Sequence, residues 1–168
     1  MVDPDPVELK AWKVWEDAGE AISLLESNVE KQPNANWRIY FIAAVTLLRA
    51  TGHILEKVDA DSDPEIRRRV QKAWPRMKND RLFVWSKSAR DSALKLYELG
   101  VSQMTAWSWT GDAQFPEDAP DAVEEGMLFV DGSSDNALER LRLAWYWWGQ
   151  VLGDIKFDRQ TNWPEADW

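Results

Sequence analysis

Apolar side chains recur at alternating intervals of three and four along most of this chain, and that spacing leaves few options for its fold. A period near 3.6 gathers side chains on one face of an α-helix and scatters them across both faces of a strand. Trp12, Trp15, Gly19, Ile22, Leu25 and Val29 form the first stripe. Trp37, Phe41, Ala44, Leu48, Leu55 and Val58 form the second, with Thr51 in its one gap. Ile66, Val70, Trp74 and Met77 make a third, and Leu82, Trp85, Ala89, Ala93 and Leu96 a fourth. Leu138, Leu141, Trp145, Trp148, Leu152 and Ile155 close the series. A one-sided helix has to bury its stripe against its neighbours. The expected fold is all-α: an antiparallel up-and-down bundle of four to five helices, folded as a single domain over residues 1–168.

Punctuation residues set the limits of these helices at about 7–30, 36–58, 64–78, 80–99 and 136–156. Pro33 ends the first, and Asn36 is placed to cap the second. Asp63 precedes Pro64, which is tolerated at a first helical position because its missing N–H costs nothing there. Pro75 predicts a kink or break near Ala73 or Trp74, with a restart at Asn79-Asp80. Gly100 marks the end of the fourth helix. From 101 to 134 prolines and glycines interrupt every period. Two short apolar strips, Met104–Trp109 and Met127–Val130, leave a choice between a short β-hairpin and an irregular excursion, and the excursion with a little extended structure is the preferred reading. Asn136-Ala-Leu-Glu139 has the form of a capping box for the last helix. The tail 157–168 has no period, yet holds Trp163 and Trp168, which suggests docking on the body or on a partner.

Several chemistries are excluded by composition. The chain has no cysteine and one histidine, so disulfides, thiolate ligands and multi-histidine zinc sites are absent, and no metal or cofactor is expected. Asp59, Asp61 and Asp63 alternate as in a calcium loop, but the glycine and glutamate such a loop requires are replaced by Pro64 and Val70. They read instead as an acidic turn. The opening residues lack the basic and apolar regions of a secretory signal, and the uncharged apolar runs are short, so a cytoplasmic, non-membrane protein is expected. A net charge of −9 disfavours indiscriminate nucleic-acid binding. The basic residues are nonetheless concentrated between Arg67 and Lys95. Of the 12 tryptophans most fall on the inner stripes; Trp107, Trp109 and Trp147 are the ones expected to be free for a partner.

The fourth helix carries the functional lead. Phe83, Lys87, Arg90, Leu94 and Tyr97 share a stripe distinct from its core face, so Arg90 and Tyr97 should point the same way, away from the core's centre. Asp91 can pair with Lys95 one turn on. The segment Arg90-Asp91, four residues to Lys95, then Leu96-Tyr97 resembles the signature of the HEPN superfamily, in which an arginine is followed after four to six residues by histidine and, in one branch, x-Tyr. Lysine stands here where that family has histidine. The order of elements is similar too: a helical hairpin, the motif helix and a closing helix. The resemblance implies a homodimeric helical domain that binds RNA or a nucleotide, some members being metal-independent ribonucleases.

Cleavage through the 2′-hydroxyl requires a base and a cation for the charge growing on phosphorus. Arg90 suits the second role, since a planar guanidinium matches phosphate oxygens. A lysine ammonium is a poor base and a better holder of phosphate, and Tyr97 suits donation to a phosphate or stacking on a base. His53, one turn from Arg49 on the second helix, is the remaining candidate base. The expected catalytic set is thus Arg90, Lys95, Tyr97 and His53, and the expected ligand contacts are Arg90, Asp91, Lys87 and Arg49. Whether the chain is an enzyme is left open. Two other readings stand beside this one: a non-catalytic helical protein-interaction module, and a small-molecule pocket between the helices and the 101–134 excursion.

Overall fold

The computed structural model describes residues 8–31, 36–95, 98–108, 114–115 and 123–159, and each apolar stripe lies on a helix. α1 spans Lys10–Lys31 and α2 spans Trp37–Ile54. The helix then runs on through a π-turn, Leu55–Asp59, into the single turn of α3, Ala60–Ser62. α4 (Pro64–Met77), α5 (Arg81–Lys95) and α6 (Ala137–Phe157) complete the bundle. Between α5 and α6 lie two antiparallel strands, β1 (Val101–Ser108) and β2 (Val123–Val130). The fold is a helical bundle with a small hairpin sheet inserted before its last helix.

The caps behave as their side chains dictate. Asp63 accepts the Glu65 and Ile66 N–H groups, and Asn136 accepts those of Leu138 and Glu139, so orphan donors at both helix starts are satisfied. Asp80 does the same for Leu82 at 2.9 Å. Pro75 does not break α4 near Ala73 or Trp74 as the sequence predicts; the helix continues to Met77. The proline falls in the final turn, where its missing N–H costs only one intrahelical bond, and the end is closed by Lys78 N–H on the Trp74 carbonyl and by the Asn79 amide on that of Pro75.

The 101–134 region is more regular than the preferred excursion. Eight residues pair on each strand, from Val101 opposite Val130 to Ser108 opposite Val123. What seats this hairpin on α1 is Gly126, because any Cβ there would run into the Val29 carbonyl oxygen.

α1 and α6 cross at a pair of half-buried tryptophans. Trp15 and Trp145 stack with parallel rings, centroids 4.7 Å apart and planes 2° from parallel. Each indole also donates to the other's backbone carbonyl, Trp15 Nε1 to Trp145 O at 2.7 Å and Trp145 Nε1 to Trp15 O at 3.0 Å. Four residues after each tryptophan comes a glycine, Gly19 and Gly149. A Cβ on Gly19 would sit 2.9 Å from the Trp145 ring, and one on Gly149 2.9 Å from the Trp15 ring. The repeated Trp-x3-Gly is therefore a matched clasp, in which each helix opens a notch for the other's indole.

Trp147, expected to be exposed, is fully buried. The expectation assumed one narrow buried face on α6, but the helix packs against α1, α2 and α5 and buries Ala144, Trp147, Trp148, Val151 and Leu152 together. Trp147 and Trp148 meet edge to face at 4.9 Å and both touch Phe83. The side chains of Trp107, Trp109, Trp163 and Trp168 lie outside the described residues.

The π-turn also alters the second stripe. Ala60 N–H bonds to the Leu55 carbonyl five residues back, and the extra residue turns Asp59 inward in place of Val58. The Asp59 carboxylate accepts the Lys10 and Ala11 N–H groups at 3.0 and 2.9 Å, so α1 is capped by a residue of a different helix. The continuous run Trp37–Ser62 is long and apolar enough by length and composition to cross a membrane. In this fold its stripe from Trp37 to Leu55 belongs to the core.

Three variants measured by chemical denaturation test this packing. Gly149→Ala should destabilise the protein by about 1–3 kcal/mol through overpacking. Gly153→Ala, one turn further along the same helix with nothing within 4 Å of its added Cβ, should be neutral or stabilising by about 0.5–1 kcal/mol. Asp59→Ala strips two helix-start donors of their acceptor and should cost about 1–3 kcal/mol.

Candidate functional site

α5 is held by its inner face. Leu82, Phe83, Ser86 and Ala93 are buried, while Trp85 and Ala89 are half-buried. Phe83 was expected on the outward stripe; it instead lies in the core against Trp74, Trp147 and Trp148. The outward stripe consequently begins inside the bundle and emerges only at Lys87. From there Lys87 and Lys95 are exposed and Arg90 is half-exposed.

The three motif charges in the described residues form one cluster. Arg90 Nη1 donates to Asp91 Oδ1 at 2.6 Å, and Lys95 Nζ lies 3.4 Å from Asp91 Oδ2. Asp91 is thus bracketed by two cations, one on each oxygen. The Arg90 hydrogen bond above all, and then Lys95, hold its carboxyl below the ordinary 3.8. Lys87, Ser88, Asp91, Ser92 and Lys95, with Val84, line a shallow recess on this outer face. Tyr97 lies outside the described residues.

Arg49 and His53 do not join that cluster. The Arg49 guanidinium lies over the Phe83 ring, 5.5 Å from its centroid, and Phe83 precedes Arg90 by seven residues, roughly two helical turns or about 10 Å along α5. Its Nη1 is buried with no hydrogen-bond partner. His53 is exposed at the end of α2, and no hydrogen bond or ion pair connects it with Arg90 or Lys95 among the described residues. The structure therefore brings Arg90, Asp91, Lys95 and Lys87 to one face and puts Arg49 at another stretch of α5.

The acidic turn is wholly engaged in structure. Asp59 caps α1, Asp61 pairs with Arg67 at 3.1 Å, and Asp63 caps α4. Among the described residues no three carboxylates or imidazoles are grouped to hold a metal ion. Glu65 receives Arg68 and Arg69, and these hydrogen bonds, Arg68's first, lower its carboxyl from 4.5 to about 2. Arg69 also donates to the Ile155 and Lys156 carbonyls, which ties α4 to the end of α6.

The concentration of basic residues between Arg67 and Lys95 that the sequence displays is large when counted as net charge. Between residues 64 and 95 ten lysines and arginines face three acids, a formal +7, which leaves −16 for the remainder of a chain whose net charge is −9. In the fold this segment is α4, the turn at 78–80 and α5. No protein-family model, curated protein or solved structure matches the chain.

The Asp91 cluster has a direct test. A carboxyl whose folded pKa is depressed adds stability above its unfolded value and loses that contribution as pH falls through the folded one. In Arg90→Ala the titration midpoint of Asp91, followed by carbon-13 NMR of its carboxyl, should rise towards 3.8. An unchanged midpoint would mean that Arg90 does not engage Asp91 in solution.

Proposed function

We propose that this chain is a HEPN-like helical domain that binds single-stranded RNA or a nucleotide through α4 and α5, with Lys87, Arg90 and Lys95 contacting phosphate. The observation that carries this reading is the charge segregation: a formal +7 over residues 64–95 of a chain that is otherwise −16. Such a distribution repels polyanions from the acidic remainder and attracts them to α4 and α5. Lys87 is exposed and makes no ion pair among the described residues, and Arg90 keeps a half-exposed guanidinium whose planar donors suit phosphate. The reading is of binding rather than cleavage. Lys95 occupies the position of the superfamily's histidine, stands largely in water beside Asp91, and is a holder of charge rather than a base. The homodimer implied by the resemblance is part of the same proposal.

A protein-interaction module is the second reading, and one observation favours it. Val84 and Leu94 are half-exposed apolar residues on α5 beside an Arg90 already occupied by Asp91, a combination that suits a protein surface as well as a phosphate.

Binding of a short single-stranded RNA, measured across a series of salt concentrations, separates the two. Affinity should fall steeply with salt, and Lys87→Gln and Arg90→Ala should each weaken binding and reduce the logarithmic salt slope by about 0.7. Affinities of both variants equal to wild type at low salt would sink the RNA reading and leave the protein-interaction one.

A further inference from the structure

A second concavity lies beside α4, away from the Arg90 cluster. It is a cavity of about 300 Å³ between the π-turn and α4, walled by Glu56 and Ala60 on one side and by Arg67, Gln71, Trp74 and Pro75 on the other. That volume is at the lower end of the range for small-ligand pockets. The α4 side is a single stripe, because Arg67, Gln71, Trp74 and Lys78 follow at intervals of four, three and four. It presents, in order, a cation, a primary amide, an indole and a second cation.

Each member is set up by its surroundings. Trp74 is half-buried and meets the core ring of Phe83 edge to face at 5.9 Å, which fixes its plane. Arg67 is held by the Ala60 carbonyl at 3.0 Å through Nε and by Asp61 at 3.1 Å through Nη2, while its Nη1 makes no hydrogen bond among the described residues. The Gln71 amide is exposed and unpaired among the described residues. Pro75 has no N–H to offer the Gln71 carbonyl, so one backbone acceptor beside the cavity lacks its intrahelical donor. Opposite, the π-turn puts Glu56 at the rim, and insertions of this kind recur at functional sites. Lys72 and Lys78 stand exposed on the same helix, with no ion pair among the described residues.

We propose that this cavity receives one unstacked nucleobase, stacked on Trp74 with its edge bonded by Gln71, while Arg67 holds the adjoining phosphate. This deepens the proposed function and rests on it. A cavity with an aromatic wall and both donors and acceptors suits a flat, uncharged heterocycle. Arg67 in its wall suits an anion joined to that heterocycle. A nucleotide unites the two, and single-stranded RNA is recognised in this manner, by aromatic stacking of splayed bases beside backbone-tracking cations. The Arg90 face on α5 and this cavity beside α4 then offer two contacts for one strand.

The test titrates the full chain with the four nucleoside 5′-monophosphates and, separately, with ribose 5-phosphate, following the Trp74 indole and Gln71 side-chain NMR signals. The nucleotides should shift both signals saturably and ribose 5-phosphate should not. Trp74→Leu should weaken nucleotide binding roughly 5- to 100-fold. Gln71→Ala, on the surface and therefore without risk to the core, should change the order of preference among the four bases. Ribose 5-phosphate binding as well as the nucleotides, or nucleotide shifts that bypass Trp74 and Gln71, would overturn the inference. Salt-dependent RNA binding without shifts at these two residues removes the base pocket and leaves the proposed function standing; silence in both assays removes both.

Discussion

Two indoles 4.7 Å apart, each hydrogen-bonded to the other's backbone, set the geometry of the whole bundle. A buried tryptophan brings a large apolar surface and a polar N–H that must find an acceptor. Here both needs are met at one crossing. The arrangement works only because Gly19 and Gly149 leave room, so the approach of α1 to α6 is set by what is missing from each helix as much as by what is present. With that distance fixed, α6 lies deep enough for Trp147 and Trp148 to fill the space beneath Phe83. α5 is positioned by the same rings, and through it the basic face.

The ends of the helices are joined by charge. Asp59 caps α1 from the π-turn, and Arg69 closes the carbonyl end of α6 from α4. Both are long-range contacts in which a side chain substitutes for the missing next turn of another helix. Much of the acidic composition is consumed in this way, in caps and in pairs such as Glu26 with Arg142 and Asp135 with Arg140. On α4, α5 and the turn between them Lys72, Lys78 and Lys87 are exposed with no ion pair among the described residues. The proposed anion-binding role follows from that residue of unassigned charge.

The sequence displays the helices because their stripes are amphipathic and their caps are local. Asp63, Asn136 and Asp80 act over two or three residues, and such contacts can be read in one dimension. Failures arise where the decisive partner is distant. The narrow-face assumption placed Trp147 and Phe83 outward, since nothing local says that α5 and α6 are enclosed on more than one side. The π-turn exchanged Val58 for Asp59 because its purpose, capping α1, lies near the other end of the described chain. The hairpin was obscured because the glycine that seats it, Gly126, reads locally as an interruption and acquires its meaning only from the Val29 carbonyl. For the site, the Arg90, Asp91 and Lys95 grouping is a helix-spacing fact and was legible. The remoteness of Arg49 from Arg90 is a matter of packing and was not.

The clasp has one more implication. α1 begins where α6 ends: Lys156 lies over the Trp12 ring at 5.4 Å, and Trp15 of the stacked pair comes one turn further along α1. The described chain is topologically almost a closed loop, sealed where its first and last helices meet. A loop sealed by noncovalent contacts can be opened elsewhere. A circular permutant joined across that corner and cut in the exposed 78–80 turn would keep every helix intact and make the clasp a near neighbour in sequence. Its closure would then carry less chain entropy, and the order in which the helices assemble would shift with it.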